Sequence, residues 1–491
     1  MISVYIREQK RYTQLALVEL FKCSEEKIVH ILKRLKEYGI VKAVKEDNNQ
    51  KDLSDLFEEE VEIADVEIGE NAYYYVFTFV GVVTIEEFVL KFYPKYLLST
   101  TSPIVELKQV LKVLEKYNAK EQIIRMYNDD QESTSFNMLA IMLFLLNDYF
   151  EYGSYVNSQD IIESNGSGEI LWDKTINETF ALISDNRPYY PELLTMKHAI
   201  NDFDYYKRLH ECILTRCSKE LKNADLLELF DMTGVEISDE DLEDFGDKEY
   251  ILYQIAKELN VQFNTRKQRV LKTLYAYIAN SNTLNDLDCF SMFGTNSFNL
   301  VWEKVCAEIF NNQLDKPIGG IPLPGELADQ YQSLKHIKLI DLIEKPSWNG
   351  YGADNEVFTK TAEKTLIPDI ISIEEGIDYK FIIMDAKYYN LQLEENKKLT
   401  GYPGIESVTK QYLYELAYRP FIKSNNISTV KNCFLFPSEN SFVQNKGYVS
   451  LDMFNQMELQ NIQIISMPAD VVFQHYLENK KLDLTTLNLL S

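Results

Sequence analysis

The amino-acid sequence predicts a multidomain α/β protein with an N-terminal helix-turn-helix, a small β element, a helical middle region and a C-terminal α/β domain. Three observations lead to this fold class. Apolar residues recur at helical spacing in the first 45 residues, aromatic and β-branched residues crowd positions 72–98, and strand patterns alternate with helical patterns after residue 291. With 491 residues, 45% hydrophobic and 26% charged, the chain has the size and composition of a globular protein with several cores.

The composition also bounds where the protein works and what it binds. The longest apolar run, Met138 to Leu146, is too short to cross a membrane, the N-terminus has no signal-peptide core, and the six cysteines form no Cys-x-x-Cys pair. We therefore expect a cytoplasmic protein with no membrane partner and no zinc or disulfide framework. The net charge of −26 argues against a nucleic-acid partner unless basic residues are concentrated locally.

Residues 1–47 predict a winged helix-turn-helix module. Two short helical patterns are separated by Ser24, a good N-cap residue, and the second pattern ends at Gly39 before a strand-like segment. Ten Lys and Arg against five Glu give residues 1–45 a local charge of +5. The candidate DNA-contacting side chains on the second helix are Lys27, His30, Lys33, Arg34 and Lys36. A solvated helix face and a protein-docking face are the alternatives.

Three further regions precede the C-terminal domain. Residues 48–70 are predicted to be an acidic linker, because the stretch from Asp52 to Glu70 holds nine acidic residues and no basic one. Residues 71–102 predict a small β element with a buried aromatic core, and platforms that stack on nucleic-acid bases are the alternative for its aromatic residues. Residues 103–290 predict a mainly helical middle domain. One predicted helix of this domain carries a basic patch that suits either a phosphate backbone or solvent: Arg266, Lys267, Arg269 and Lys272.

Two apolar strands, predicted at Leu366–Ile373 and Tyr379–Tyr388, contain three ionisable residues. Asp369 interrupts the first strand, and Asp385 and Lys387 interrupt the second. Because side chains alternate along a strand, Asp385 and Lys387 point the same way, and Asp369 can reach them from a neighbouring strand. Two carboxylates beside an ammonium suit Mg²⁺ and a lysine that orients or deprotonates water. An edge strand with a surface ion pair is the alternative.

The order of these residues resembles the PD-(D/E)XK nuclease motif. Pro368-Asp369 is followed, sixteen positions after the aspartate, by Asp385-Ala-Lys387. Residues 291–491 are predicted to form the surrounding domain. Its pattern comprises a helix at Phe298–Phe310, a strand at Ile337–Ile343, the two motif strands, a helix at residues 405–422 and further strands. This is the order expected of the restriction-endonuclease-like core of that superfamily.

The C-terminal half resembles the LlaJI-type restriction endonucleases, which are relatives of McrC. Four segments carry the resemblance: Trp302-Glu303, Leu366-Ile-Pro-Asp369, Asp385-Ala-Lys387 and Thr409-Lys-Gln411-Tyr-Leu-Tyr414. Upstream segments near Phe79, Phe92 and Gly168 extend it over roughly residues 70–480. Glu415 stands where a tyrosine commonly follows such a glutamine, so the role of Tyr414 stays open.

The resemblance implies a Mg²⁺-dependent endonuclease of a restriction system, acting on double-stranded DNA. Asp369 and Asp385 would hold Mg²⁺, and Lys387 would activate the attacking water. Glu303 would add a metal or water ligand, with a plain surface glutamate as the alternative. Gln411 would support the site or touch DNA.

The resemblance also implies partners. McrC-like proteins commonly work with an AAA+ GTPase of the McrB kind, and the chain has no G-x-x-x-x-G-K-[S/T] motif of its own. A cognate DNA methyltransferase is expected in the same system, and cutting both strands would require an oligomer. Two alternatives stay open: a catalytically inactive DNA-binding or scaffold subunit, and a repair nuclease of the same fold.

Overall fold

The computed structural model describes residues 2–45, 73–118, 138–200, 203–280, 290–352, 355–376 and 378–490. The predicted acidic linker at residues 48–70 lies outside these described residues. The chain divides into a first unit, made of Met1–Ser3, Val83–Val89 and Glu132–Phe293, and a second unit, made of Val4–Val82, Leu90–Gln131 and Gly294–Ser491. Within the described ranges the protein is a mixed α/β chain with several sheets and 13 α-helices. None of the helices described there has the length and apolar character needed to span a membrane.

The N-terminal segment contains the predicted succession of two helices and a strand. In chain order the elements are β1 (Ile2–Arg7), β2 (Arg11–Tyr12), α1 (Gln14–Phe21), α2 (Glu25–Glu37), β3 (Val41–Lys45) and β4 (Tyr73–Phe77). Strand β4 pairs antiparallel with both β2 and β3, which completes a three-stranded sheet. A winged-helix fold and its contact with DNA stay predictions.

Local signals set the two ends of helix α2. The Ser24 hydroxyl accepts a hydrogen bond of 3.4 Å from the backbone N–H of Lys27 and so caps the first turn. Gly39 follows the helix with a φ of +67°, a left-handed conformation that favours glycine. The apolar face is buried as its helical spacing predicts, through Ile28, Ile31, Leu32 and Leu35.

The predicted β element is present as strands β5 (Val80–Ile85) and β6 (Phe88–Tyr93). Every residue of both strands is buried, so their aromatic side chains belong to the core. Helix α3 (Ile104–Asn118) follows.

The predicted helical middle region contains strands as well as helices. Besides α3, its helices within the described ranges are α4 (Met138–Tyr152), α5 (Trp172–Glu178), α6 (Tyr205–Asn223), α7 (Lys248–Val261) and α8 (Thr265–Ala279). Its strands are β7 (Ser158–Ser164), β8 (Glu169–Ile170), β9 (Leu182–Ser184), β10 (Arg187–Tyr189), β11 (Leu194–Ile200) and β12 (Phe290–Thr295). Strands β7 to β11 were not predicted, because adjacent exposed residues such as Ile161 and Ile162 show no alternation of buried and exposed positions.

One member of the predicted basic patch on α8 is committed to the protein itself. The Arg266 guanidinium forms an ion pair of 2.7 Å with Asp148 of α4 and donates a further hydrogen bond of 2.8 Å to the carbonyl of Gly153. Arg266 therefore joins two helices, and contact of the basic patch with a phosphate backbone stays a prediction.

The C-terminal part of the second unit is built on one mixed sheet. Its helices are α9 (Phe298–Ile309), α10 (Asp329–Gln332), α11 (Ile405–Ser424), α12 (Asp452–Asn455) and α13 (Ala469–Leu477). Its strands are β13 (Ser347–Tyr351), β14 (Val357–Thr361), β15 (Ile370–Glu374), β16 (Lys380–Ala386), β17 (Thr429–Ser438), β18 (Gln444–Val449) and β19 (Ile462–Pro468). The strand order is β15-β16-β17-β19-β18, with β16, β17 and β19 parallel and the two edge strands antiparallel to their neighbours.

Helix α11 covers part of one face of this sheet. Its side chains Tyr418 and Phe421 are buried in an apolar cluster with Ile371 of β15 and with Phe381 and Ile383 of β16. The two motif strands are therefore held from one side by a long helix, as the predicted order of elements requires.

The strand predicted at Ile337–Ile343 is wrong. Residues Leu339–Leu342 form a 3₁₀ turn instead. Leu339 and Ile343 are buried, but Asp341, which would share their face in a strand, is exposed, so the run does not follow the two-residue period of a strand. The backbone N–H of Leu339 donates to the carbonyl of Lys316 in a preceding loop.

Candidate active site

Strands β15 and β16 bring two aspartates to the same end of the sheet. The strands pair antiparallel with Ile370 opposite Met384, so one further step in this register places Asp369 opposite Asp385. The first strand was predicted to begin at Leu366 with Asp369 inside it, but it begins at Ile370, so Asp369 precedes the strand and does not interrupt it. Side-chain alternation directs both carboxyls to the face that α11 covers. The predicted convergence of the two aspartates is therefore present.

Hydrogen bonds fix Asp369 from two sides. Its Oδ2 accepts from the backbone N–H of Ala386 at 2.9 Å, which ties the carboxyl to the end of β16. Its own carbonyl accepts from the Nδ2 of Asn312 at 2.8 Å, and the Oδ1 of Asn312 accepts from the backbone N–H of Ile371 at 3.1 Å. Asn312 thus holds the backbone at Asp369 and at Ile371, on either side of the first residue of the strand.

Lys387 lies beside Asp385 at the end of β16. Its Nζ is 3.0 Å from the Asp385 Oδ2, and the two side chains are 18% and 7% exposed. The backbone N–H of Lys387 donates to the Leu435 carbonyl at 2.9 Å and so continues the parallel pairing with β17. The ammonium is consequently held next to the carboxylates within a largely buried cluster, which excludes the alternative of a surface ion pair.

Helix α9 adds a third acid. Trp302 is fully buried and its indole Nε1 donates to the same Leu435 carbonyl at 3.1 Å. The next residue, Glu303, is half-buried, and its electrostatic neighbours are Asp385 and Lys387. Glu303 is therefore considered with this cluster, and its part as a metal or water ligand stays a prediction.

The cluster contains three carboxyl groups beside one lysine, and two of the carboxyl groups keep their protons to a higher pH than usual. Burial raises the pKa of Glu303 to about 7, with a further contribution from Asp385 that Lys387 opposes. Burial and the hydrogen-bonded Asp385 carboxyl likewise raise the pKa of Asp369. For Lys387, burial lowers the pKa, but the carboxyls of Asp385 and Asp369 outweigh it and the net shift is upward. Such a cluster is stabilised by an added cation.

The donor set fits a hard divalent ion through the aspartate pair. Within the described ranges, no group of three or more His, Cys, Asp or Glu side chains is arranged to hold a metal ion as it stands. Mg²⁺ needs only one or two carboxylates, because it keeps several waters and takes phosphate oxygens as its other ligands. Asp369 and Asp385, which the register of the paired strands places opposite each other, meet that requirement.

Comparison with known proteins identifies the family. A model of the LlaJI restriction endonuclease family matches residues 79–324 and 331–474. The chain belongs to the LlaJI restriction endonuclease family. The matched ranges include Glu303, the two motif strands and helix α11.

One curated relative and two solved structures are similar to this chain. The Type II restriction enzyme BsuMI component YdjA of Bacillus subtilis (strain 168) is 28% identical over 419 residues, which are 82% of this LlaJI-family chain and 81% of that protein. A chain in the half-complex of Thermococcus gammatolerans McrB AAA+ hexamers with bound McrC covers 97% of this chain and 99% of its own length, at 12% identity and a TM-score of 0.37. The cryo-EM McrBC complex of the same organism gives 13% identity, coverages of 62% and 85%, and a TM-score of 0.23. These two TM-scores are too low to establish a shared fold.

Gln411, a candidate site residue of the LlaJI-family chain, lies beneath the strands. It is fully buried on α11, and its Nε2 lies 3.3 Å from the Ile383 carbonyl and 3.5 Å from the Cys433 carbonyl. In this structure its burial is incompatible with contact to DNA. Its contacts instead hold β16 two residues before Asp385, so the other predicted role, support of the site, fits its position.

Two further residues lie near the site, and the sequence signal is weak for Tyr414 and absent for Asn312. The Tyr414 hydroxyl donates to the Ile367 carbonyl at 2.9 Å, and its pKa is raised first by burial and then by Asp385 and Asp369. Tyr414 is therefore adjacent to the carboxylates, although its spacing had left its role open. Asn312 was not predicted at all, since it lies in a loop far from the motif in sequence.

The five predicted DNA-contacting residues all lie on α2. His30 and Lys33 are exposed, whereas Lys27, Arg34 and Lys36 are half-buried. They occupy positions other than the four apolar residues that face the core. A role in binding DNA stays a prediction for this helix.

Proposed function

We propose that this chain is a Mg²⁺-dependent endodeoxyribonuclease of a restriction system that hydrolyses phosphodiester bonds of double-stranded DNA. One observation carries the proposal: the chain belongs to a restriction endonuclease family and brings Asp369, Asp385 and Lys387 together at the end of two paired strands. Buried clusters of titratable groups with perturbed pKa values are typical of active sites. The products would be a 5′-phosphate and a 3′-hydroxyl.

Each side chain has a distinct part in this proposal. Asp369 and Asp385 would hold Mg²⁺, which supplies charge stabilisation at the phosphoryl oxygen and lowers the pKa of a bound water. Because its neighbours raise the pKa of Lys387, this side chain is an ammonium at neutral pH. It would therefore donate a hydrogen bond to the attacking water or to a phosphate oxygen, and it would not accept the proton.

Glu303 is suited to the transfer of a proton. Its pKa of about 7 lies near neutral pH, where a carboxyl group can both release and accept a proton at useful rates. We assign Glu303 the acceptance of the proton from the attacking water, and its role as a metal ligand is the alternative, because a carboxylate bound to Mg²⁺ would not hold that proton.

The proposal extends to partners. The Bacillus subtilis relative is described as a component of a restriction enzyme, which supports a system of several polypeptides. Since the sequence has no P-loop motif, an AAA+ GTPase of the McrB kind would supply nucleotide hydrolysis, and a cognate DNA methyltransferase would protect the host DNA. Cleavage of both strands would be performed by two copies of the chain.

The test is cleavage of varied plasmid DNA with Mg²⁺, alone and with any AAA+ protein encoded beside this chain. Wild type is compared with Asp385→Ala and with Asp315→Ala, a matched control because Asp315 forms only a surface ion pair with Lys338. We expect wild type and Asp315→Ala to cut and Asp385→Ala to lose activity. Absence of cleavage by folded wild-type protein that still binds DNA would support the inactive scaffold subunit instead.

A further inference from the structure

The residue that follows Lys387 enters a buried polar cluster with partners far away in sequence. The Tyr388 hydroxyl donates a hydrogen bond of 2.5 Å to the Oε2 of Glu8. The backbone N–H of Lys95 lies 3.2 Å from the same carboxyl oxygen and 3.3 Å from the Tyr388 hydroxyl. Glu8 and Tyr388 are 3% and 5% exposed. These three residues, called here the Glu8 cluster, join the N-terminal segment to the end of the motif strand.

Lys95 holds the same segment through further contacts. Its Nζ lies 4.5 Å from the centre of the Tyr388 ring, within the range of a cation–π interaction, and donates to the Oε1 of Gln9 at 2.9 Å. Its carbonyl accepts from the Nδ2 of Asn390 at 2.7 Å. Residues 388–390 are thus fixed by a lysine backbone and side chain that themselves contact the N-terminal segment.

Protonation defines the direction of the central hydrogen bond. Burial raises the pKa of Tyr388 well above its ordinary value, and the Glu8 carboxyl adds to the shift. The phenol therefore stays protonated and is the donor, while Glu8 provides the acceptor. A buried carboxyl group costs stability unless it is hydrogen-bonded, so its presence beside the site requires compensation by these donors.

We propose that Glu8 and Tyr388 are positioning residues for Lys387. The backbone of Lys387 is anchored on one side by its hydrogen bond to the Leu435 carbonyl, and on the other side the adjacent Tyr388 is anchored by Glu8. Together the two anchors define where the ammonium stands relative to Asp385. Small displacements of a catalytic group reduce rates strongly, which makes the anchor functional as well as structural. This inference rests on the proposed nuclease function.

Three variants of the full chain separate the hydrogen bond from the charge. Tyr388→Phe removes only the donor, Glu8→Ala removes the acceptor, and Glu8→Gln keeps an acceptor oxygen without the charge. Tyr418→Phe is the matched control, because Tyr418 is equally buried and its hydroxyl bonds to the Leu339 carbonyl. We expect Tyr388→Phe and Glu8→Ala to lower the cleavage rate at saturating DNA on the order of 10-fold, with unchanged DNA affinity.

If the hydrogen bond between Tyr388 and Glu8 positions Lys387, two further results are expected for the cleavage rates. The double variant Glu8→Ala/Tyr388→Phe is expected to cleave DNA no more slowly than the slower of its two single variants, because both changes remove the same interaction. Glu8→Gln is expected to retain the wild-type rate within about 3-fold, since its amide oxygen can accept from Tyr388. Equal losses in Glu8→Gln and Glu8→Ala, or rates of Tyr388→Phe equal to those of Tyr418→Phe, would overturn the inference.

Amide hydrogen exchange tests the anchor without any activity. We expect faster exchange in a peptide covering residues 386–390 of Tyr388→Phe, with no change in Tyr418→Phe. If wild type cuts no DNA, the proposed function fails while this measurement still decides the anchor. Unchanged exchange at residues 386–390 in Tyr388→Phe overturns it whatever the cleavage result, and this variant decides the matter if Glu8→Ala does not fold.

Discussion

The two units of the molecule each contain a buried aspartate paired with a basic residue, and the surroundings of the two pairs differ. In the first unit Asp148 receives two donor nitrogens of Arg266, which also bonds to a backbone carbonyl. In the second unit Asp385 receives Lys387 and also faces Asp369 and Glu303. One cation faces one carboxyl group in the first case and three carboxyl groups in the second. The charge balance of a pair, and not its burial alone, distinguishes a structural contact from a candidate catalytic centre.

The largest expected effect is the loss of cleavage when one of the three carboxyl groups of the cluster is removed. Asp369→Asn keeps the shape of the side chain and an oxygen that can accept from Ala386, but removes one metal ligand charge. We expect cleavage to fall ~10²-fold or more, because groups that stabilise charge at such sites have effects of this size. Plasmid cleavage under single-turnover conditions measures it. The free energy of unfolding should not fall, since one of the mutually repelling acids is gone, and a strongly destabilised variant would contradict the comparison.

For the ion pair of Asp148 with Arg266 we expect the opposite result, which is a loss of stability without a loss of cleavage. Asp148→Ala leaves the Arg266 guanidinium, 29% exposed, without its carboxylate, so the free energy of unfolding should decrease by up to about 3 kcal/mol. Urea denaturation followed by circular dichroism provides the measurement. Cleavage by the folded fraction should equal that of wild type. If Asp148→Ala had unchanged stability and no longer cut DNA, the pair of Asp148 and Arg266 would have a function in cleavage. The two units would then not differ in the way described.

The smallest effect concerns pH. Since burial raises the pKa of Glu303 to about 7 from an ordinary 4.5, the folded state binds more protons than the unfolded state between these values. The stability that Glu303 contributes is therefore present below pH 4.5 and is lost as the pH rises to about 7. Thermal melting of the metal-free protein should show this decline, and Glu303→Gln should reduce its slope. Added Mg²⁺ should raise the melting temperature at neutral pH in wild type more than in Asp369→Asn.

The parts of the site that were predictable from sequence depend on short-range rules. Asp369, Asp385 and Lys387 could be predicted from the two-residue period of strands and from the cost of burying charge, because both can be read from one short stretch of the sequence. Asn312 and Glu8 were not predictable, because each reaches the site through tertiary contacts with residues far along the chain. Gln411 was placed on the correct helix, yet which side of the sheet it faces depends on packing.

The fold shows the same division. Helix α2 was predicted with its cap because Ser24, the apolar spacing and Gly39 all act within a few residues. The error at Ile337–Ile343 has a different origin, since the run is apolar enough for a strand and its conformation is decided by hydrogen bonds to a preceding loop. Strands β7 to β11 are stabilised by pairing with one another and carry exposed apolar residues, which removes the alternation that identifies a strand.

The Leu435 carbonyl accepts hydrogen bonds from both Trp302 and Lys387 and so holds a tryptophan beside the candidate site. Of the three tryptophans, Trp172 and Trp348 are more than half exposed, whereas Trp302 is fully buried and bonded to the carbonyl that also holds Lys387. The blue-shifted, quencher-protected part of the intrinsic fluorescence therefore originates beside the carboxylate cluster. The chain carries a native optical reporter at the position where cations and DNA would arrive, and no label has to be attached to follow their binding.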